Sequence, residues 1–189
     1  MRLLAVLPSL LGMPTFAALV HTQYPELLIP LKKAQLDNAI FTQKDAIVSY
    51  TNKTGDEQWT AVSFYVPDNN ANICRLQFLI NTNSIKTPPF GLRGEAPFSI
   101  DVSRVEPKLV NGRTTWNTKP AIIERYDTYV LSTTGSSEIV NRWFPCPKRN
   151  FAQFFVHPAN TKDIEVYWFE LNYSVEDGGP HGLVLEMHT

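Results

Sequence analysis

Past its first eighteen residues this chain has no hydrophobic run able to cross a membrane, which takes roughly 20 apolar residues. Cysteine is scarce: Cys74 and Cys146 are the only two, enough for one bridge and no more. Only four histidines occur (His21, His157, His181 and His188), and no two have metal-ligand spacing. Neither sign of charge dominates. Lys and Arg number 17 against 18 Asp and Glu, a net charge of −1 that leaves no basic footprint for nucleic acid or an anionic membrane. HExxH, GxSxG, a P-loop and a glycine-rich dinucleotide turn are all missing, and no repeat of fixed period is visible. No cofactor is implied.

What is present begins with MRLLAVLPSLLGMPTFAA. A positive start, an apolar run from Leu3 to Leu11 and small residues at the end form the three-part pattern of a secretory signal peptide. Pro8 and Pro14 interrupt a run too short for an anchoring helix. Thr15-Phe16-Ala17 fits the cleavage pocket better than Phe16-Ala17-Ala18, so the mature chain is expected to start near Ala18. Removing Arg2 takes the charge from −1 to −2. The tail Leu183–Thr189 lacks the pattern of a GPI anchor, so a secreted, extracellular protein without a membrane anchor is expected. In that compartment Cys74 and Cys146 read as a disulfide closing a loop of about 70 residues, which contributes on the order of 4 kcal/mol by loop entropy. The alternative is two free buried thiols.

Fourteen prolines, nine glycines and 12% aromatic residues favour strands and turns over helices. Residues 19–45 read as an extended N-terminal segment, broken at Pro25 and Pro30. From residue 46 to 189, period-two alternation recurs between turns. Strands are expected at Ala46–Thr51, Trp59–Val66, Ile73–Ile80, Phe98–Val102, Ala121–Leu131, Ile139–Phe144, Phe151–Val156, Ile164–Tyr173 and Leu183–Met187. Loops are expected at Asp68–Ala71, Asn81–Gly94 and Glu176–Gly182. One wet and one buried face per strand suits antiparallel sheets, and the fold class is all-β, an antiparallel β-sandwich of jelly-roll type.

Two N-glycosylation sequons occur, at Asn52 in a polar turn and at Asn172 near a strand end. A glycan on Asn172 would make its strand face wet, with Trp168 and Glu170 on it and Tyr167, Phe169, Leu171 and Tyr173 inward. Otherwise the strand is buried on both faces and the sequon is unused. Asp68-Asn69-Asn70-Ala71-Asn72 has oxygen ligands at the spacing calcium uses. However, Ile73 and Leu79 stand where an EF-hand loop needs Gly and Glu, so a plain turn is favoured. Asp101, Glu165 and Glu170 are the strand acids a glycosidase could pair, and edge-strand charge is the favoured role for each. Aromatics remain as a functional resource. Trp59, Tyr65, Tyr126 and Trp168 are the candidate sugar-stacking positions, although most aromatics in an all-β protein are core.

Thr115-Trp116-Asn117-Thr118-Lys119-Pro120 follows Cys74-Arg75-Leu76-Gln77-Phe78 and precedes Pro145-Cys146-Pro147 and Gly182-Leu183. Together, over roughly residues 46–189, these runs resemble the C-terminal domain of the fungal ubiquitin-3-binding protein, the But-two family. The resemblance implies a secreted fungal protein, in some members associated with the cell wall, and supplies no catalytic residues. The family's name comes from binding an intracellular enzyme of ubiquitin-like modifier activation, an activity at odds with a signal peptide and not carried over. Locally, Trp116 is expected to pack over the sandwich edge and the Asn117 side chain to bond the turn backbone. The combined expectation is a non-enzymatic, glycosylated extracellular module. Its partner would be cell-wall polysaccharide, or an extracellular protein as for an effector or antigen; a glycoside hydrolase comes third.

Overall fold

The computed structural model describes residues 17–140 and 142–189. The signal peptide expected at 1–18 lies outside the described residues except for its last two. In chain order the strands are β1 (Leu19–Gln23), β2 (Leu27–Lys32), β3 (Asp45–Thr51), β4 (Asp56–Val66), β5 (Ile73–Leu79), β6 (Phe90–Gly94), β7 (Phe98–Val105), β8 (Ile122–Ser132), β9 (Gly135–Glu138), β10 (Phe144–Pro145), β11 (Asn150–Pro158), β12 (Ile164–Phe169) and β13 (Gly182–His188). A four-stranded sheet in the order β1-β13-β5-β10 faces a nine-stranded sheet in the order β6-β12-β3-β4-β11-β7-β8-β9, with β2 also on β4. All pairings are antiparallel. The fold is an all-β sandwich, as expected.

Alternation builds the main core. Cys74, Leu76 and Phe78 of β5, with Leu183, Leu185 and Met187 of β13, meet Val62 and Phe64 of β4, Phe154 and Val156 of β11, and Val166 and Trp168 of β12. The middle of β4 is buried on both faces, because Ala61 joins a second cluster with Ile29, Leu31, Val105, Leu109 and Phe155. That cluster lies on the outer face of the large sheet, where β2 contributes Ile29 and Leu31 and the chain between β7 and β8 covers them with Leu109 and Trp116. The expected lead-in segment therefore supplies two strands. At Gln58 β4 is flanked on both sides, by Lys32 of β2 and Ser49 of β3, and Pro30 is tolerated because β2 has no second neighbour.

Three expectations are corrected. The loop Asn81–Gly94 contains β6, a short edge strand on β12 hidden in the sequence by Pro88, Pro89, Gly91 and Gly94. The strand expected at Ile139–Phe144 lies earlier: Gly135–Glu138 hairpins onto β8 with Ser132 opposite Gly135. The strand expected to run to Tyr173 stops at Phe169. Leu171 and Tyr173 therefore do not belong to its alternation, and the faces are reversed. Ile164, Val166 and Trp168 point into the core and Tyr167 and Phe169 are half-buried.

Cys74 on β5 and Cys146 just after β10 form the disulfide, with S–S 2.04 Å and Cα atoms 5.1 Å apart.

Candidate functional site

The outer face of the large sheet carries two of the exposed aromatics, Tyr65 and Phe151. Along β4 it presents Trp59, Ala61, Ser63 and Tyr65. Opposite them on β11, Phe151 pairs with Tyr65, Gln153 with Ser63 and Phe155 with Ala61. The middle of this face is closed: the Gln153 amide donates to Ser63 Oγ at 3.0 Å and its carbonyl accepts the Leu109 N–H at 2.9 Å. Tyr65 and Trp59 lie six residues apart, about 20 Å along the strand, on either side of this roof.

At one end Tyr65 and Phe151 stand in the open, 37% and 41% exposed, with ring centroids 5.6 Å apart and edge-on to one another. The chain reaches this corner through Arg149, whose φ of 58° lies in the left-handed region. Its guanidinium is fixed on Asp68, with Nε donating to Oδ2 at 2.9 Å. Asn69 is also taken up, its Oδ1 accepting the Ala71 N–H at 3.0 Å. Of the run that suggested calcium, Asp68 thus serves an ion pair and Asn69 a turn.

At the other end Trp59 is half-buried. Trp116 lies 4.9 Å away and His157 4.8 Å away, centroid to centroid. Lys119 Nζ sits 3.9 Å above the Trp116 ring and 5.2 Å above that of Trp59, and donates to the Trp116 carbonyl at 2.8 Å. Burial lowers the Lys119 pKa. The Trp59 indole N–H donates to Glu57 at 2.8 Å. Trp116 packs on the outer cluster of the large sheet, a sheet face and not the sandwich edge expected. The Asn117 side chain does not bond the turn backbone: its amide donates to Asp37 at 2.8 Å, and the turn is closed by Thr115 and Thr118.

His157 Nδ1–H donates to the Pro158 carbonyl at 3.1 Å, which leaves Nε2 to accept from Ser103 Oγ at 2.8 Å. Burial lowers the His157 pKa. This has the connectivity of an activated serine, but Ser103 is 2% exposed and a substrate cannot reach it. Glu165 pairs with Arg93 of the edge strand β6 at 3.3 Å, but its own strand β12 lies between β6 and β3 and is not an edge. Asp101 and Glu170 do not fit the role of edge charge either. Asp101 is buried and accepts from the Thr128 hydroxyl. Glu170 Oε1 accepts the Trp168 indole N–H at 2.7 Å and the Leu183 N–H at 2.9 Å, and its Oε2 is buried without a partner. Burial pushes Glu170 up to about 8. Glu170 also borders a cleft of about 450 Å³ with Glu26, Thr42 and Lys44. Asp101 and Glu165 stand on β7 and β12, which do not pair with each other, and Asp101 is taken up by Thr128 and Arg125, so the two do not form the carboxylate pair of glycoside cleavage.

Of the four candidate stacking residues, then, the structure leaves Tyr65 open and Trp59 half-covered, and buries two. Trp168 is 0% exposed and packs edge-on against Phe78, its N–H satisfied by Glu170. Tyr126 is 4% exposed because the pairing of β7 with β8 skips it: Val102 faces Asp127 and Ser103 faces Arg125. That bulge turns Tyr126 into the core. Phe151 and Trp143, 40% exposed beneath Arg75, were not singled out from sequence. Only strand pairing places Phe151 beside Tyr65. Both sequon asparagines are exposed. Asn172 lies beyond β12, its Oδ1 accepting from Tyr24 at 2.9 Å, so its exposure says nothing about the Trp168 face.

Residues 23–173 match the family described as Ubiquitin 3 binding protein But2 C-terminal domain. The chain belongs to this family. The match begins earlier than the resemblance read from residue 46 and takes in β2, whose Ile29 and Leu31 belong to the outer cluster. In this But2-family domain the Trp116–Pro120 turn is therefore part of a packed layer with β2. Comparison with curated proteins finds no match.

Proposed function

We propose that this chain is a secreted, glycosylated, non-enzymatic fungal module that holds cell-wall polysaccharide on the outer face of its large sheet. The observation that carries this reading is the Tyr65–Phe151 pair. Two adjacent aromatic rings stand open on a sheet face, beside the Asp68–Arg149 ion pair that can bond sugar hydroxyls. Sugar rings present flat C–H faces that stack on such aromatics, and the neighbouring polar groups orient them. Trp59 and Trp116 supply a second, partly covered surface farther along the same face.

The test is retention of the mature protein on insoluble chitin, β-glucan and mannan. Retention on one polymer is expected, and Tyr65→Ala and Phe151→Ala should each weaken it by about 1 kcal/mol or more. Retention unchanged in both variants, or absent from all three polymers, would remove the reading. A protein-binding function is the second reading. It is favoured by Ile122, Ile123, Ile139, Val140 and Trp143, five large apolar residues exposed near one rim. Recovery of a discrete partner, lost on Trp143→Ala and kept on Tyr65→Ala, would support it instead.

A further inference from the structure

On the far side of the sandwich from the Tyr65–Phe151 corner, four oxygens are buried without a partner: Asp127 Oδ2, Glu138 Oε1 and the hydroxyls of Tyr126 and Tyr129. The β8 bulge brings Asp127 to the interior between the two tyrosines, and it is 2% exposed. Glu138 ends β9 directly opposite Tyr129. Each carboxyl has one satisfied oxygen. Asp127 Oδ1 accepts the N–H groups of Thr128 at 2.6 Å and Val140 at 3.1 Å; Glu138 Oε2 accepts the Gln77 amide at 3.0 Å. The strand pairing brings the two carboxyl groups to one place: Asp127 Oδ1 takes the Val140 N–H, two residues past Glu138, and Glu138 stands opposite Tyr129, two residues past Asp127. Two bare carboxylates so placed would leave both oxygens unpaired and repelling. A single proton satisfies both.

We propose that Asp127 and Glu138 share one proton and form a pH-sensitive latch, holding the strip Gly135–Val140 onto β8 and β5 in acid and releasing it above neutral pH. The proton resides on Glu138, whose Oε2 has a single amide donor, while Asp127 Oδ1 already takes two main-chain N–H groups. Burial, with Asp127 beside it, pushes Glu138 up to about 7. Among the described residues no cation forms an ion pair with Asp127 or Glu138, and Arg75, which acts on Glu138 from a distance, is engaged elsewhere. Arg75 is held by Glu186 at 2.7 Å, and His188 lies 3.3 Å from the same carboxylate. At the rim, Arg104 and Arg142 pair with Glu124. The Tyr126 and Tyr129 hydroxyls, both raised by burial, stay neutral. The strip spans both sheets: the Ile139 N–H donates to the Thr128 carbonyl at 2.9 Å, and Ser136 Oγ donates to the Phe78 carbonyl. As a four-residue edge strand, β9 can open without unfolding the core.

The test is hydrogen exchange of peptides covering residues 135–140 in the whole mature protein at pH 5.5 and 8.5, corrected for intrinsic rates. Wild type should open at least tenfold more at pH 8.5, while Glu138→Gln, a neutral group able to donate to Asp127, should be protected equally at both. Wild-type protection that is independent of pH, or an unchanged pH dependence in E138Q, would overturn the latch. Calcium that restores wild-type protection at pH 8.5 and does nothing to E138Q would overturn it too, in favour of a cation site. Should E138Q fail to fold, carbon-13 titration of the wild-type Glu138 carboxyl decides: a midpoint near 7 supports the shared proton, and one near 4.5 refutes it.

Discussion

Trp168 and Tyr65 were equal candidates by composition, and their packing sets them apart. The Trp168 indole fills the core against Phe78 and has its one donor met by Glu170, so the whole ring can leave water. Trp168→Ala should therefore cost about 3–5 kcal/mol of stability, read by denaturant unfolding. Tyr65→Ala should move stability by no more than about 1 kcal/mol, since its ring is already wet. Cys74 behaves like a core residue and a staple at once. Cys74→Ala should lower stability by about 2–5 kcal/mol, and native wild-type protein should take up no thiol label. Stoichiometric labelling of the native protein would show the bridge wrong.

Among the elements, the segment between β7 and β8 depends most on a few polar contacts. It lies over the outer sheet face through Leu109 and Trp116, and its Leu109 N–H is met by Gln153 alone among side chains. Gln153→Ala leaves that buried N–H and the Ser63 hydroxyl unpaired. A loss of about 1–3 kcal/mol is expected, together with faster hydrogen exchange confined to residues 106–120. Gly112 within this segment has φ +68°, and a Cβ there would sit 2.5 Å from the Phe41 ring. Gly112→Ala should therefore destabilise the segment through both backbone and contact. At β12, Glu170 ties the strand's end to β13 through the Leu183 N–H, which makes a carboxyl group a joint between the two sheets.

For the molecule as a whole, buried ionisable groups set opposite slopes. Glu170, raised from 4.5 to about 8, and Glu138, raised to about 7, hold protons in the folded state that the unfolded chain releases. Their contribution is complete below about pH 4.5 and is lost as pH rises through 7 and 8. His181 is fully buried, accepts the Asn81 N–H on Nδ1 at 3.0 Å and is lowered by burial from 6.5 to about 4. Its contribution is complete above about pH 6.5 and is lost as pH falls through 4. The melting temperature should peak near pH 4.5 and fall toward alkaline pH, because above that point the folded state keeps the protons of Glu170 and Glu138 while the unfolded chain keeps only that of His181. Glu170→Gln should flatten the alkaline fall. A melting temperature that climbs steadily to pH 9 would contradict this account.

Sequence alone determined the sandwich class, most strand positions and the cysteine pairing, because alternation and turn residues are local properties that survive without knowledge of partners. It also read the inward face of β5 correctly, where Cys74, Leu76 and Phe78 keep an uninterrupted period of two. Tertiary structure decided the rest. The faces of β12 depended on where the strand stopped, the placement of Tyr126 on a bulge set by β7, and β6 and β9 on neighbours that recruit proline- and glycine-rich chain as edges. The candidate site followed the same rule. Tyr65 was visible as an outward aromatic, but Phe151, 86 residues later, joins it only through the β4–β11 register. The Asp127–Glu138 pair likewise exists only because a bulge and a hairpin bring two ordinary acids to one buried point, and no local pattern encodes that meeting.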